Sequence, residues 1–304
     1  MDYTLESKLI NDSFRLREQI NQNQIHYNDF TILMQIEQLL SKRKFNIPDV
    51  SRFNEYLKIL RDTNSDSRME SLAHSEISKL ILILHHIKDL QQWSDTLEIA
   101  LKKDSLKPLN NEKTTLGRNL FFEVYVAARL EAAGIQVNKG EPDLICNKNG
   151  FNFTVAAKRI RSFSKIETRF REARNQIIKT NLPGIIVLDI SALHKNFYSG
   201  LPAMTNEGIR INAKKYIDET NENILPKLSE ICKSEQVLGV ISFASLNTVT
   251  PDNNQSSILA EIHNCHSFYS DETDNFKHFK EIGDGIIKAR LGPVAPKIIR
   301  NEYF

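Results

Sequence analysis

An acidic and a basic residue flank a predicted β-hairpin near the middle of the chain. Asp143 opens a short apolar run, and Lys158 lies near the end of the next strand-like run. Asn149 and Gly150 separate the two runs, and a glycine-containing turn of this kind is typical of a hairpin. Because side chains alternate along a strand, Lys158 is predicted to share a face with Ala156, close to Asp143.

These residue types at this spacing are suited to phosphodiester chemistry. A carboxylate and an ammonium group on adjacent strands, with a second carboxylate two residues before the lysine, can hold a divalent cation beside a phosphodiester. Such a cation polarises the phosphoryl group and lowers the pKa of a bound water. The second carboxylate is missing in this chain, because an alanine, Ala156, stands at that position.

The order and spacing of these residues resemble the PD-(D/E)XK nuclease superfamily, which has the restriction-endonuclease-like fold. The pair ending in Asp143 matches the PD element, and residues 156–158 occupy the (D/E)XK positions with alanine at the acidic place. Glu123 matches a glutamate that many members carry on the helix before the first strand. Gln176 matches a glutamine that several subgroups carry on the helix after the lysine strand.

The resemblance implies a metal-dependent endonuclease that uses Mg²⁺ or Mn²⁺. It implies five catalytic positions: Glu123, Asp143, Ala156, Lys158 and Gln176. It implies four metal ligands: Asp143, the side chain of the residue at the place of Ala156, the carbonyl of Ala157, and Glu123. Lys158 is expected to orient or deprotonate the attacking water and to stabilise the transition state. The alternatives are a structural glutamate at position 123, paired to Arg129 or Arg159, and a solvated Gln176.

Position 156 decides the activity expected of this chain. An alanine in an otherwise complete motif is typical of an experimental inactivation, so we interpret Ala156 as the replacement of a glutamate or an aspartate. A natural, catalytically silent homologue is the alternative. In either case the chain is expected to cut poorly or not at all.

A basic cluster follows the lysine strand. Eight basic and two acidic residues occur from Lys158 to Lys179, and this excess of positive charge would attract a phosphate backbone. Five residues are predicted to bind nucleic acid: Arg159, Arg161, Lys165, Arg169 and Arg174. The alternative is a solvated helix face with internal pairs, such as Glu167 with Arg171.

Residues 113–304 are predicted to form an α/β domain, a restriction-endonuclease-like mixed sheet flanked by helices. Thr115 is placed to cap a helix that ends before Gly134, with an apolar stripe from Leu116 to Leu130. The continuous apolar runs 185–190 and 237–243 are typical of buried strands. Three later elements complete the prediction: a capping box of Ser164 and Glu167, a strand over 258–262, and a helix containing Phe276, Phe279 and Ile282.

Residues 1–112 are predicted to form an all-α region that regulates the protein or binds a partner. No glycine occurs before Gly117, and apolar residues recur every three or four positions. This spacing predicts four or five helices, the first over 5–20, with breaks at 46–48 and 62–67. The boundary between the two regions is predicted near 106–113.

The composition of the chain limits which partners it is expected to bind and in which cellular compartment it is expected to occur. The net charge of +2 over 304 residues means that any nucleic-acid surface is local. Three widely spaced cysteines favour a reducing compartment, and neither a signal sequence nor a membrane-spanning apolar run is found. We therefore expect a cytoplasmic protein without membrane contact. Its expected partners are nucleic acid, DNA in preference to RNA, and a protein partner or second copy bound through the N-terminal helices.

The resemblance leaves the biological system open, because superfamily members serve restriction, repair, mobile-element and phage-defence systems. A second hypothesis is a non-catalytic nucleic-acid-binding or scaffold protein that keeps the nuclease fold. A third is an RNA or tRNA nuclease, since metal-assisted hydrolysis does not require the 2′-hydroxyl group to be absent.

Overall fold

The computed structural model describes residues 27–62, 65, 67–102, 115–193, 201–202, 215, 219, 224, 231, 234–249, 257–269, 272–289 and 297–300. These residues form an α/β structure in which an N-terminal helical region precedes a mixed sheet flanked by helices. The coarse fold class expected from the sequence is therefore confirmed.

The described N-terminal region is helical. Its helices are α1 (Tyr27–Arg43), α2 (Arg52–Arg61), α3 (Ser67–His86) and α4 (Ser94–Lys102). The polar breaks predicted at 46–48 and 62–67 coincide with the ends of α1 and α2, and Ser51 caps α2 by accepting the N–H of Asn54 at 3.1 Å. The helix predicted over 5–20 lies outside the described residues.

The helix that carries Glu123 is α5 (Leu116–Ala132). Gly134 follows it with φ of +78°, a left-handed conformation that glycine adopts without steric cost, so the predicted stop is confirmed. Thr115 stands at the N-cap, but its side chain makes no capping hydrogen bond. The helix is buried almost all round because α3 and α4 pack against it on one side and β3 on the other.

The predicted hairpin follows α5 and is confirmed. Its strands are β2 (Leu144–Lys148) and β3 (Phe151–Arg159), preceded by β1 (Gln136–Lys139). Asn149 and Gly150 both adopt positive φ, 52° and 88°, which is the geometry of a type I′ turn. Leu144 pairs with Val155 in the antiparallel register, and this pairing places Asp143 beside the carboxyl-terminal half of β3.

Beyond the hairpin the sheet is mixed. Its remaining strands are β4 (Gly184–Asp189), β5 (Leu201–Pro202), β6 (Val237–Val249), β7 (Ser257–Ser267) and β8 (Lys297–Arg300). Strands β3, β4 and β6 run parallel, and β7 pairs with β6 in the antiparallel direction. The order is β1-β2-β3-β4-β6-β7-β8, and β5 pairs with β6. Because β3 and β4 are parallel, Arg159 and Asp189 stand opposite each other at their shared carboxyl-terminal edge.

Two further helices cover the sheet, α6 (Ile166–Lys179) after β3 and α7 (Asp274–Lys288) near the end of the chain. The predicted capping box of Ser164 and Glu167 is wrong, because the helix begins two residues after Ser164 and Lys165 occupies its N-cap. The Ser164 hydroxyl instead lies 3.0 Å from the hydroxyl of Ser162. Residues Phe163–Lys165 form a 3₁₀ turn.

The apolar side chains form two clusters. The larger one joins the N-terminal helices, α5, α7 and one face of the sheet, and it includes Leu33, Phe53, Leu80, Tyr125, Phe153 and Phe279. The smaller one lies between the sheet and α6, and it includes Ala156, Phe170, Ile177, Ile186 and Val240. The division into two domains at 112 stays a prediction, and residues 103–114 lie outside the described part of the chain.

Within the described ranges, no helix combines the length and the apolar character needed to cross a bilayer. Cys146 and Cys265 are buried free thiols, and Cys232 lies outside the described residues. The cytoplasmic location stays a prediction.

Candidate active site

Asp143 and Lys158 form an ion pair at the open end of the hairpin. The Nζ atom of Lys158 donates to Oδ2 of Asp143 at 2.9 Å, and the N–H of Ala157 donates to the same oxygen at 2.7 Å. The two side chains are 14% and 11% exposed, so water screens their attraction only in part. The hairpin thus places a carboxylate and an ammonium group side by side.

Asp143 holds its proton more tightly than an ordinary aspartate. Burial raises the pKa of Asp143, and the charge of Lys158 with the hydrogen bonds from Lys158 and Ala157 opposes that effect without cancelling it. The nearby charge of Glu141 adds to the rise. The ammonium group of Lys158 therefore stabilises the charged form of the Asp143 carboxyl group.

Glu123 lies beside this pair and is partly buried on α5. Burial raises its pKa, and the carboxylate of Asp143 raises it further, while Lys158 and Lys139 oppose the rise; the resulting pKa is about 7. In the part of the chain that the structure describes, Glu123 forms no ion pair with Arg129 or Arg159. The alternative of a structural glutamate paired to one of these arginines is therefore not supported. A carboxyl group with a pKa near neutrality can either give or accept a proton.

A cleft of about 430 Å³ brings Glu123 and Lys158 together with α6. Its walls are formed by Asn119, Glu123, Ala157, Lys158, Arg159, Arg169, Glu172, Asn175, Gln176 and Lys179. Gln176 therefore faces the cleft, and its Oε1 atom is buried without a hydrogen-bond partner in the described chain. A buried acceptor without a donor is costly, so this oxygen is a polar group that the described fold leaves unsatisfied next to the cleft.

Ala156 does not line the cleft. Its side chain is fully buried in the smaller apolar cluster, below α6. It shares a strand face with Lys158, two residues further along β3, so a longer side chain at position 156 would extend towards the lysine. The structure therefore joins Glu123, Asp143, Lys158 and Gln176 in or beside one cleft but leaves position 156 as an apolar contact.

The predicted nucleic-acid-binding residues separate into three groups. Arg169 lines the cleft and pairs with Glu172 at 2.8 Å. Arg161 and Lys165 are exposed on the connection between β3 and α6. Arg174 is half-buried and absent from the cleft wall, and its Nε atom is buried without a hydrogen-bond partner in the described chain. The spacing on α6 explains this, because Arg169, Glu172 and Gln176 share one face of the helix.

Arg159 lines the cleft but is already paired. Its Nε atom donates to Oδ2 of Asp189 at 2.9 Å, and both side chains are 12% exposed. Burial alone would raise the pKa of Asp189, but the charges of Arg159 and Lys79 and a hydrogen bond from Ser191 outweigh it and hold that pKa below its ordinary value. Arg159 is thus held in place by a buried carboxylate.

Sequence reasoning missed several residues of this site. Asn119 precedes Glu123 by one helical turn, and Asn175 precedes Gln176 directly, so helical spacing could have indicated both. Lys139 ends β1 and donates to Thr96 Oγ1 of α4 at 2.7 Å. Asp189 could have been found from the rule that parallel strands end at one edge of a sheet.

The side chains present do not fit a Mg²⁺ site. In the part of the chain that the structure describes, no group of three or more His, Cys, Asp or Glu side chains is arranged to hold a metal ion. Oδ2 of Asp143 already accepts two hydrogen bonds, and Glu123 is partly protonated near pH 7. Mg²⁺ requires near-octahedral oxygen coordination, so the missing carboxylate at position 156 leaves the ligand set short.

Comparisons with family models, curated proteins and solved structures found no significant match to this chain.

Proposed function

We propose that this chain has a nuclease-type site for phosphodiesters, preferring DNA, and that it binds nucleic acid without cleaving it because residue 156 is an alanine. The observation that supports this most directly is the convergence of Glu123 from α5, Asp143 from the start of the hairpin and Lys158 from β3 beside one cleft. The resemblance to the PD-(D/E)XK superfamily in residue order points the same way.

The residues present have separate roles in this proposal. Lys158 places an ammonium group in the cleft, where it stabilises the negative charge of a bound phosphodiester. Asp143 holds that ammonium group in one position. Glu123 exchanges a proton near neutral pH, and the side chain of Gln176 forms part of the cleft wall.

Replacement of Ala156 tests the proposal. Ala156→Glu restores the carboxylate that the superfamily pattern has there, and Ala156→Gln is the matched control with the same size and no charge. Both variants and this chain are assayed with Mg²⁺ and with Mn²⁺ on supercoiled plasmid, single-stranded DNA and RNA. Cleavage is expected only for Ala156→Glu, and an added Lys158→Ala should abolish it.

A second candidate is a non-catalytic nucleic-acid-binding protein, and the full burial of Ala156 in an apolar cluster favours it. Under this alternative an alanine at position 156 is the native packing residue. Ala156→Glu should then lower stability and leave binding without cleavage under every condition. Cleavage of RNA alone by the glutamate variant would identify an RNA nuclease instead. A folded Ala156→Glu variant that neither binds nor cuts any of the substrates would contradict both candidates.

A further inference from the structure

The connection between β3 and α6 starts and ends at the cleft. Arg159, at the end of β3, and Arg169, in the first turns of α6, both line the cleft wall. Ile160 and Ile166 are buried in the smaller apolar cluster and anchor the two ends of the connection. The residues between these anchors, 161–165, are therefore held at the rim of the cleft.

An aromatic side chain stands in the middle of this rim. Phe163 is 41% exposed and belongs to neither apolar cluster. Its ring stacks on no other aromatic ring among the described residues. Phe163 is thus a large apolar side chain that the described fold leaves partly in water, at 41% exposure.

Positive charge lies on both sides of that ring. Arg161 and Lys165 are each two residues from Phe163 and exposed. Basic side chains alternating with an aromatic ring are the pattern by which proteins hold a single strand, because the cations follow the backbone and the ring stacks on a base.

We propose that Phe163 stacks on an unpaired nucleobase and so directs a single-stranded segment into the cleft. Both faces of a base inside a duplex are covered by its neighbours, whereas an unpaired base can turn a face towards a ring. Arg161 and Lys165 hold the flanking phosphates, and Arg159 lies where the strand enters the cleft. This inference rests on the proposed function and narrows its substrate to nucleic acid with an unpaired segment.

The test compares two oligomers of equal charge. One is a fluorescein-labelled 15-nucleotide deoxythymidine oligomer, and the other has the same length and backbone but abasic sites in place of the bases. Binding to full-length protein is measured by fluorescence anisotropy for this chain, Phe163→Ala and Phe163→Trp. Val50→Ala, at a position that is 89% exposed and lies far along the chain, is the control for loss of surface apolar area.

Phe163→Ala is expected to weaken binding of the thymidine oligomer by about 5- to 150-fold, since stacking on one base contributes about 1–3 kcal/mol. The same variant should bind the abasic oligomer as this chain does, and Phe163→Trp should keep thymidine binding. Equal losses on both oligomers, or no loss on either, would overturn the role of Phe163 while leaving the nuclease-type site standing. A lower melting temperature in Phe163→Ala with unchanged binding would show that the ring packs within the chain, which also overturns it. Failure of this chain to bind either oligomer would overturn this inference, and failure to bind duplex DNA and RNA as well would remove the proposed function.

Discussion

Glu123 and Asp143 are coupled carboxyl groups from different elements of the fold. Burial raises the pKa of Glu123, and the charge of Asp143 raises it further, to about 7. Lys158 opposes this rise and is hydrogen-bonded to Asp143 at 2.9 Å. Two acids and one base thus lie close together in a partly buried volume, and the pKa of Glu123 depends on the charges of both neighbours.

The first prediction concerns pH. The pKa of Glu123 is about 7 in the folded protein against an ordinary 4.5, so the folded state holds this proton more tightly than the unfolded state does. The free energy of unfolding therefore loses a contribution as pH rises from 4.5 to 7. Glu123→Gln removes this loss and should raise the free energy of unfolding above pH 7 by about 1–3 kcal/mol, with little change below pH 4.5.

Urea denaturation at several pH values measures this effect. Glu98→Gln, on the exposed face of α4, is the control and should leave the pH dependence unchanged. The assignment fails if Glu123→Gln and the unaltered chain lose stability in parallel between pH 5 and 8.

The second prediction concerns the ion pair. Lys158→Met leaves the carboxylate of Asp143 half-buried beside Glu123 without its ammonium partner. The variant should lose about 1–3 kcal/mol of unfolding free energy at pH 7, because an uncompensated buried charge is costly. Adding Asp143→Asn should recover part of that loss. Lys102→Met, which breaks the exposed pair with Glu98, should cost less than about 1 kcal/mol. If the changes in unfolding free energy of Asp143→Asn and Lys158→Met simply add in the double variant, the contact between these side chains contributes nothing to stability.

The third prediction concerns metal binding. Calorimetric titration with Mn²⁺ should show weak binding to this chain and at least tenfold tighter binding to Ala156→Glu, because the glutamate completes an oxygen ligand set. Ala156→Gln should bind as weakly as this chain. In the presence of a chelator Ala156→Glu should melt several degrees lower, since its carboxylate enters an apolar cluster, and Mn²⁺ should restore the loss. Equal Mn²⁺ affinity in all three proteins would exclude residue 156 as a ligand.

The fourth prediction separates two faces of α6. Arg169 and Lys179 line the cleft, whereas Arg171 and Arg174 do not. Arg169→Ala with Lys179→Ala should weaken binding to duplex DNA and flatten its salt dependence by about 0.9 units of log–log slope for each lost phosphate contact. Arg171→Ala with Arg174→Ala removes the same charge and should have the smaller effect. If both double variants weaken DNA binding and flatten its salt dependence equally, binding depends only on the net charge of α6.

Short-range signals predicted the elements that carry the site. Asn149 and Gly150 require positive φ, so the hairpin and its register could be predicted locally. Gly134 marked the end of α5 in the same way. Once the hairpin register is known, the proximity of Asp143 to Lys158 follows from side-chain alternation.

The features that the sequence did not predict depend on packing between distant parts of the chain. The apolar stripe expected from Leu116 to Leu130 underestimates the buried surface of α5, because the N-terminal helices cover a second face of that helix. Arg129, outside the stripe, is fully buried, whereas Leu116, at its start, is 50% exposed. Ala156 is an apolar contact and not part of the cleft wall, because α6 packs over that part of β3. Lys139 reaches the site through a tertiary contact with α4 that no local pattern encodes.

The burial of α5 on two sides has a practical consequence for the design of fragments. Removing residues 1–112 would strip α3 and α4 from this helix, and it would also remove Phe53, whose ring packs against Phe121 at 4.9 Å between ring centres. A fragment beginning at residue 113 would expose this surface to water and would be expected to aggregate. Expression and crystallisation of the α/β sheet therefore call for the helical region in the same chain, and a protease-resistant core should retain both.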